Sequence, residues 1–99
     1  MKNFRSFILA VDFNRQCRRL KVRGSIRDQL LRAAESIALN LAEGRGKPTV
    51  KDQKKFFSIA FGSIRECQAI LILEGLENSE LWELLDSVAA HTFKLIRNA

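Results

Sequence analysis

One proline (Pro48), five glycines and no tyrosine occur in 99 residues. So few breakers argue against a loop-rich chain and favour a mostly helical one. No segment alternates apolar and polar residues as a strand would, and none repeats at a fixed period. There is one histidine, His91, and there are two cysteines, Cys17 and Cys67, far apart and in no CxxC pair. That inventory holds no zinc set. Both cysteines sit among apolar residues, as buried thiols of a reduced, cytoplasmic protein do. Long hydrophobic runs are also missing. The apolar stretch in MKNFRSFILAVDF is interrupted by Asp12, too soon for a secretory signal. Nothing read in sequence approaches the roughly 20 apolar residues of a membrane span. The expectation is a soluble protein with no membrane partner. His91 has no acidic partner or nucleophile at a diagnostic spacing, and pairing with Cys67 has no sequence support. No enzyme activity, cofactor or metal is therefore expected.

What the chain does have is apolar residues (46%) and charge (28%) in ordinary globular proportion. Its length predicts one compact domain over 1–99. The net charge of +6 is unevenly placed: residues 1–55 hold fourteen Lys/Arg against five Asp/Glu, and residues 56–99 three against six. The basic half points to an anionic partner such as RNA, DNA or an acidic protein surface.

Four amphipathic segments are readable. The first, Phe4 to Leu20, carries two apolar stripes: Phe4, Phe7, Ile8 and Val11, then Leu9, Phe13, Cys17 and Leu20. Gly24 and Ser25 break the chain, and Ser25-x-x-Asp28 reads as a capping-box variant opening the second helix. Ile26, Leu30, Ala33, Ala34, Ile37 and Leu41 form that helix's core stripe. Thr49-x-x-Asp52 opens a third helix, Val50 to Glu74, centred on Phe56, Ala60, Ile64, Cys67 and Leu71. Its apolar arc is broader than a surface helix of a monomeric bundle needs, which predicts oligomerisation unless three neighbouring helices cover it. Gly75 fits a helix end, and Asn78-Ser79 fits the cap of a fourth helix with Leu81, Leu84, Leu85, Val88, Leu95 and Ile96 inside. Short loops between four such helices predict an all-α, antiparallel up-and-down four-helix bundle.

The stretch NLAEGRGKPT, residues 40–49, has the glycines, lysine and threonine of a nucleotide loop. A Walker A motif needs GxxxxGK[ST] between a strand and a helix. Here Pro48 follows Lys47, Leu41 stands where the first glycine should be, and the preceding segment is helical. The loop reads instead as a helix stop, with Gly44 as the positive-φ residue, a turn, and a start at Thr49. Ser36 and Asn40 lie mid-helix on a polar flank shared with Gln29 and Glu43. Such groups need partners. Gly62 and Ser63 offer a small, close-packing site on the third helix with Glu66 one turn on, so a polar network between helices or subunits is expected.

Two stretches resemble the four-helix bundle protein family that includes proteins encoded in intervening sequences of bacterial large-subunit ribosomal RNA genes. One is QLLRAAESIALNLAEG, residues 29–44; the other is Phe56-Phe57 with Ala60-Phe61-Gly62-Ser63-Ile64-Arg65-Glu66. The resemblance implies an up-and-down bundle assembling as a ring, commonly a homopentamer. The related accessory variability determinant of diversity-generating retroelements is basic, pentameric, and binds nucleic acid and a reverse transcriptase. The connection around Lys21 to Ser25 is shorter here than in longer family members.

The functional expectation is a non-enzymatic homo-oligomer that holds RNA or DNA through backbone phosphates. A reverse transcriptase is a further partner implied by the resemblance. The first-choice contacts are Arg15, Arg18, Arg19, Lys21 and Arg23; Arg45, Lys47, Lys51, Lys54 and Lys55 come second. The rival is an adaptor or assembly subunit whose basic surface meets an acidic protein.

Overall fold

The computed structural model describes residues 4–98; the outermost limits of the expected domain, 1–3 and 99, lie outside them. Four helices follow in order: α1 (Arg5–Arg18), α2 (Gly24–Arg45), α3 (Val50–Leu73) and α4 (Glu80–Asn98). Each packs against the next, and α1 closes the square against α4 with no diagonal pairing. Short connections reverse the chain each time, giving the up-and-down bundle expected from the stripes. It is a rod of 40 × 22 × 22 Å.

The core runs along the rod axis. Phe13, Leu30, Ile37, Leu41, Ile64, Leu71, Leu85 and Val88 are fully buried in it. Cys17 and Cys67 are free and buried there as well. Burial pushes the Cys17 thiol up to about 12 and raises that of Cys67 further, because a thiolate has no solvation in this setting.

The helix ends show what each breaker does. Thr49 caps α3, its hydroxyl accepting from Asp52 N at 3.2 Å, and Ser79 Oγ accepts from Trp82 N at 3.2 Å to open α4. Gly75 has φ +73, and α3 ends in a Schellman motif there: Leu76 N donates to Leu71 O at 2.8 Å and Gly75 N to Ile72 O at 3.0 Å.

Two expected ends are corrected. Ser25 is not a cap: α2 begins at Gly24, with Arg23 in the N-cap position and no side-chain cap bond. The corner is held by Arg27 instead, whose guanidinium donates to Leu20 O (2.9 Å) and Arg18 O (2.8 Å). A cation on the closing carbonyls of α1 also suits that helix's negative end. Gly44 is not the positive-φ stop either, because α2 runs on to Arg45 and Gly46 closes it at φ −83. Gly44 serves close approach: a Cβ there would lie 2.7 Å from Phe57 Cε1.

The absence of any span-length segment is corrected too. α3 is 24 residues long and apolar enough to pass a membrane-span test on length and composition. Here it packs between α2 and α4, turning Ala60, Ile64, Cys67 and Leu71 into the core as expected, with Phe57 buried in place of Phe56, which is only half-buried. Its outer side keeps Ile59, Ile72 and Leu73 exposed, so neighbouring helices cover only part of the broad apolar arc.

Candidate nucleic-acid interface

The up-and-down topology separates the two basic clusters that sequence order sets in one half of the chain. Arg15, Arg18 and Arg19 close α1, and Lys21 and Arg23 lead into α2, so these five stand at the end of the rod where α3 also runs into α4. That end carries Glu74, Glu77, Glu80 and Glu83, with Arg23 Nη2 3.9 Å from Glu74 Oε2. The first-choice cluster therefore shares its end with almost as much negative charge.

Arg45, Lys47, Lys51, Lys54 and Lys55 occupy the opposite end, where α2 turns into α3. The start of α1 and the finish of α4 bring Arg5, Lys94 and Arg97 to the same place. Among the described residues, Glu43 and Asp52 stand against these eight cations. Lys47 is partly committed, with Nζ 3.0 Å from Glu43 Oε2 and 5.0 Å from the centroid of the Phe56 ring. Lys55 Nζ also lies over that ring, 5.8 Å from its centroid. Arg45 lies 4.7 Å over the Phe4 ring, which in turn packs on Phe57 at 6.2 Å between centroids. Aromatic side chains thus hold three of the cations in place. Sequence order missed Arg5, Lys94 and Arg97 because only the return of α1 and α4 brings them here.

A cavity of about 420 Å³ opens at this end, lined by Arg45, Gln53, Phe57, Lys94, Leu95 and Asn98. Gln53 Nε2 donates to Lys47 O at 2.9 Å, which ties the first turn of α3 to the preceding loop.

The polar network lies midway along the α2–α3 seam. Ser63 Oγ donates to Ser36 Oγ at 2.7 Å, and Asn40 Nδ2 donates to Ser36 O at 2.8 Å and lies 3.1 Å from Ser36 Oγ. Ser36 and Ser63 meet between the helices, Asn40 bonds Ser36 of its own helix, and Glu66 is exposed and outside the network. Gly62 corrects the close-packing expectation within the chain: a Cβ there would meet nothing within 4 Å. On the other side of α3, Phe61 packs on the half-exposed Phe93 at 6.1 Å, with Arg65 4.8 Å over Phe61. Among the described residues, no group of three His, Cys, Asp or Glu could hold a metal ion.

Fold and charge together define a small, antiparallel four-helix bundle with one strongly basic end. The chain belongs to the 23S rRNA-intervening sequence protein family, whose sequence model matches residues 4–94. Comparison with curated proteins and with solved structures gave no match.

Proposed function

We propose that this protein binds nucleic acid through backbone phosphates, using the end of the rod where α2 turns into α3. The observation that carries the reading is the charge imbalance there, eight cations against two carboxylates among the described residues. Such a surface gains affinity by releasing the counterions of a polyanion. The rank order of the two clusters reverses: Lys51, Lys54, Lys94 and Arg97 become first-choice contacts, and Arg15 to Arg23 secondary ones. Fluorescence anisotropy against RNA and DNA over a salt series tests this. Lys51→Gln and Lys54→Gln should each weaken binding across sequences and lower the salt slope by about 0.7–0.9. Arg15→Gln and Arg19→Gln should do so less. Lack of binding to either polymer at low salt, or an effect confined to Arg15 and Arg19, overturns the reading.

The chain also self-associates in this reading, through the outer side of α2 and α3. Leu39 is 65% exposed, Ile59 44% and Leu73 75%, and Gly62 leaves room for an approaching surface. Apolar side chains of this size left open on adjoining helices fit a contact between copies. Five subunits is the count that the family resemblance supports. Light scattering should find an oligomer at micromolar protein and a smaller species for Ile59→Glu; a wild-type monomer would sink the idea. A reverse transcriptase as partner rests on resemblance alone. Capture of such a protein that survives nuclease would favour the adaptor reading over direct nucleic-acid binding.

A further inference from the structure

The cavity at the basic end differs from the charged surface around it because three helices supply it with three kinds of chemistry. Arg45 from α2 and Lys94 from α4 provide two positive charges, and among the described residues no carboxylate lines the space. The Phe4 ring 4.7 Å away holds the Arg45 guanidinium. Gln53, in the first turn of α3, spends Nε2 on Lys47 O and keeps Oε1 as an acceptor. Asn98 adds a second amide, and Phe57 and Leu95 give an apolar wall. At about 420 Å³ the cavity falls within the size of small-ligand sites. Cations, amides and an aromatic wall in one such space match the parts of a nucleotide: phosphate, base edge and base face.

An internal phosphate of a strand carries one charge. A terminal phosphate monoester carries roughly −1.5 to −2 at pH 7 and presents three acceptor oxygens. Two cations lining one cavity favour the second over the first, and a cavity at the tip of a rod admits a strand by its end. Resting on the nucleic-acid reading above, we propose that this cavity takes the phosphorylated terminal nucleotide of a single strand, with Arg45 and Lys94 on the phosphate.

The test uses the full chain and short single-stranded RNAs labelled at the far end, carrying a phosphate or a hydroxyl at the 5′ or the 3′ terminus. One phosphorylated terminus should bind roughly tenfold more tightly than its hydroxyl counterpart, as an added charge-assisted hydrogen bond predicts. Lys94→Ala should abolish that preference and Lys94→Arg should keep it. Lys94 is exposed, so neither change threatens the core. Competition by a free nucleoside monophosphate would assign the recognition to a single nucleotide, whether free or at a strand's end. Equal binding of phosphate and hydroxyl termini, or a preference that persists in both Lys94→Ala and Arg45→Gln, overturns the proposal and leaves backbone binding standing. Failure of these RNAs and of single-stranded DNAs of the same design to bind overturns both.

Discussion

Gly44→Ala tests whether the α2–α3 seam is set by steric fit or by helix propensity, because the two predict opposite signs. Gly44 has ordinary helical backbone, so alanine there gains about 1 kcal/mol of propensity. The added methyl would sit 2.7 and 2.8 Å from Phe57 Cε1 and Cδ1, and 3.2 Å from the Gln53 carbonyl oxygen. Carbon atoms settle at roughly 3.5–4.0 Å, so the ring would have to retreat by about 1 Å. It has little room: Phe57 is 4% exposed and packs on Phe4, while the Gln53 oxygen is backbone. Overpacking of this kind costs typically 1–3 kcal/mol. The net expectation is a loss of about 1 kcal/mol, or roughly 4–8 °C in Tm for a domain of this size. Gly62→Ala is the control, since its methyl meets nothing, and the isolated chain should gain about 0.5–1 kcal/mol. Urea melts of both variants at one fixed protein concentration, with the oligomeric state checked by light scattering, give the comparison. A Gly44→Ala protein about 1 kcal/mol more stable than the parent would refute the steric account of the seam.

Further outcomes follow from the same contacts. Arg27→Ala should cost about 1–2 kcal/mol in a denaturant melt by freeing the Leu20 and Arg18 carbonyls, and Arg27→Lys should restore only part, since an ammonium lacks the fork that spans both. Ser36→Ala should destabilise by about 1 kcal/mol, and a double-mutant cycle with Ser63→Ala should return a favourable coupling for the 2.7 Å bond. Thr92 is fully buried with Oγ1 unpartnered, so Thr92→Val should stabilise by up to about 1 kcal/mol; a clear loss would mean that the hydroxyl is satisfied. The buried thiols should resist alkylation at pH 8 until the chain unfolds. Their folded-state pKa values lie above the ordinary 9.0, so the folded chain holds its protons longer than the unfolded one. Stability from this source is intact below pH 9 and falls as pH rises through about 12, which melts across that window would show.

The fold was legible because its local signals agree. The core stripes of α2 and α4, the Thr49 and Ser79 caps and the Gly75 stop are each decided within a few residues of sequence, and each is found in place. By contrast, α1 turns Ser6, Ala10, Phe13, Asn14 and Cys17 inward and leaves Ile8 of its first expected stripe exposed. Ser25 and Gly44 misled for one reason: their residue types suit a cap or a stop, but partners distant in sequence decide their roles. Arg27 takes the corner that Ser25 would have organised, and Phe57 takes the space beside Gly44. The candidate site was half legible. Runs such as Lys51 to Lys55 are visible as charge, but their standing depends on what else reaches the same end of the rod. Topology adds Lys94 and Arg97 to one cluster and Glu74 to Glu83 to the other, and no local pattern carries that information.

The stretches by which the chain resembles its family divide into residues the single chain uses and residues it does not. Gly44 receives the Phe57 ring, Ser63 joins α3 to Ser36 of α2, and Asn40 braces Ser36 from within α2. Gly62 and Glu66 lie on the outer side of α3 beside the exposed Ile59, where a glycine in mid-helix gives up propensity and admits no neighbour from its own chain. A position that costs the isolated helix stability and returns no internal contact makes physical sense when its partner is another surface. Register between the helices then matters twice. The Ser36–Ser63 bond fixes α2 against α3 at the level where Leu39 and Ile59 emerge, so the network that joins two helices also sets the shape of the face they present together. On this view Ser63→Ala would weaken self-association more than its small effect on the fold predicts. A loss of association no larger than the loss of stability would show the face to be independent of the network beneath it.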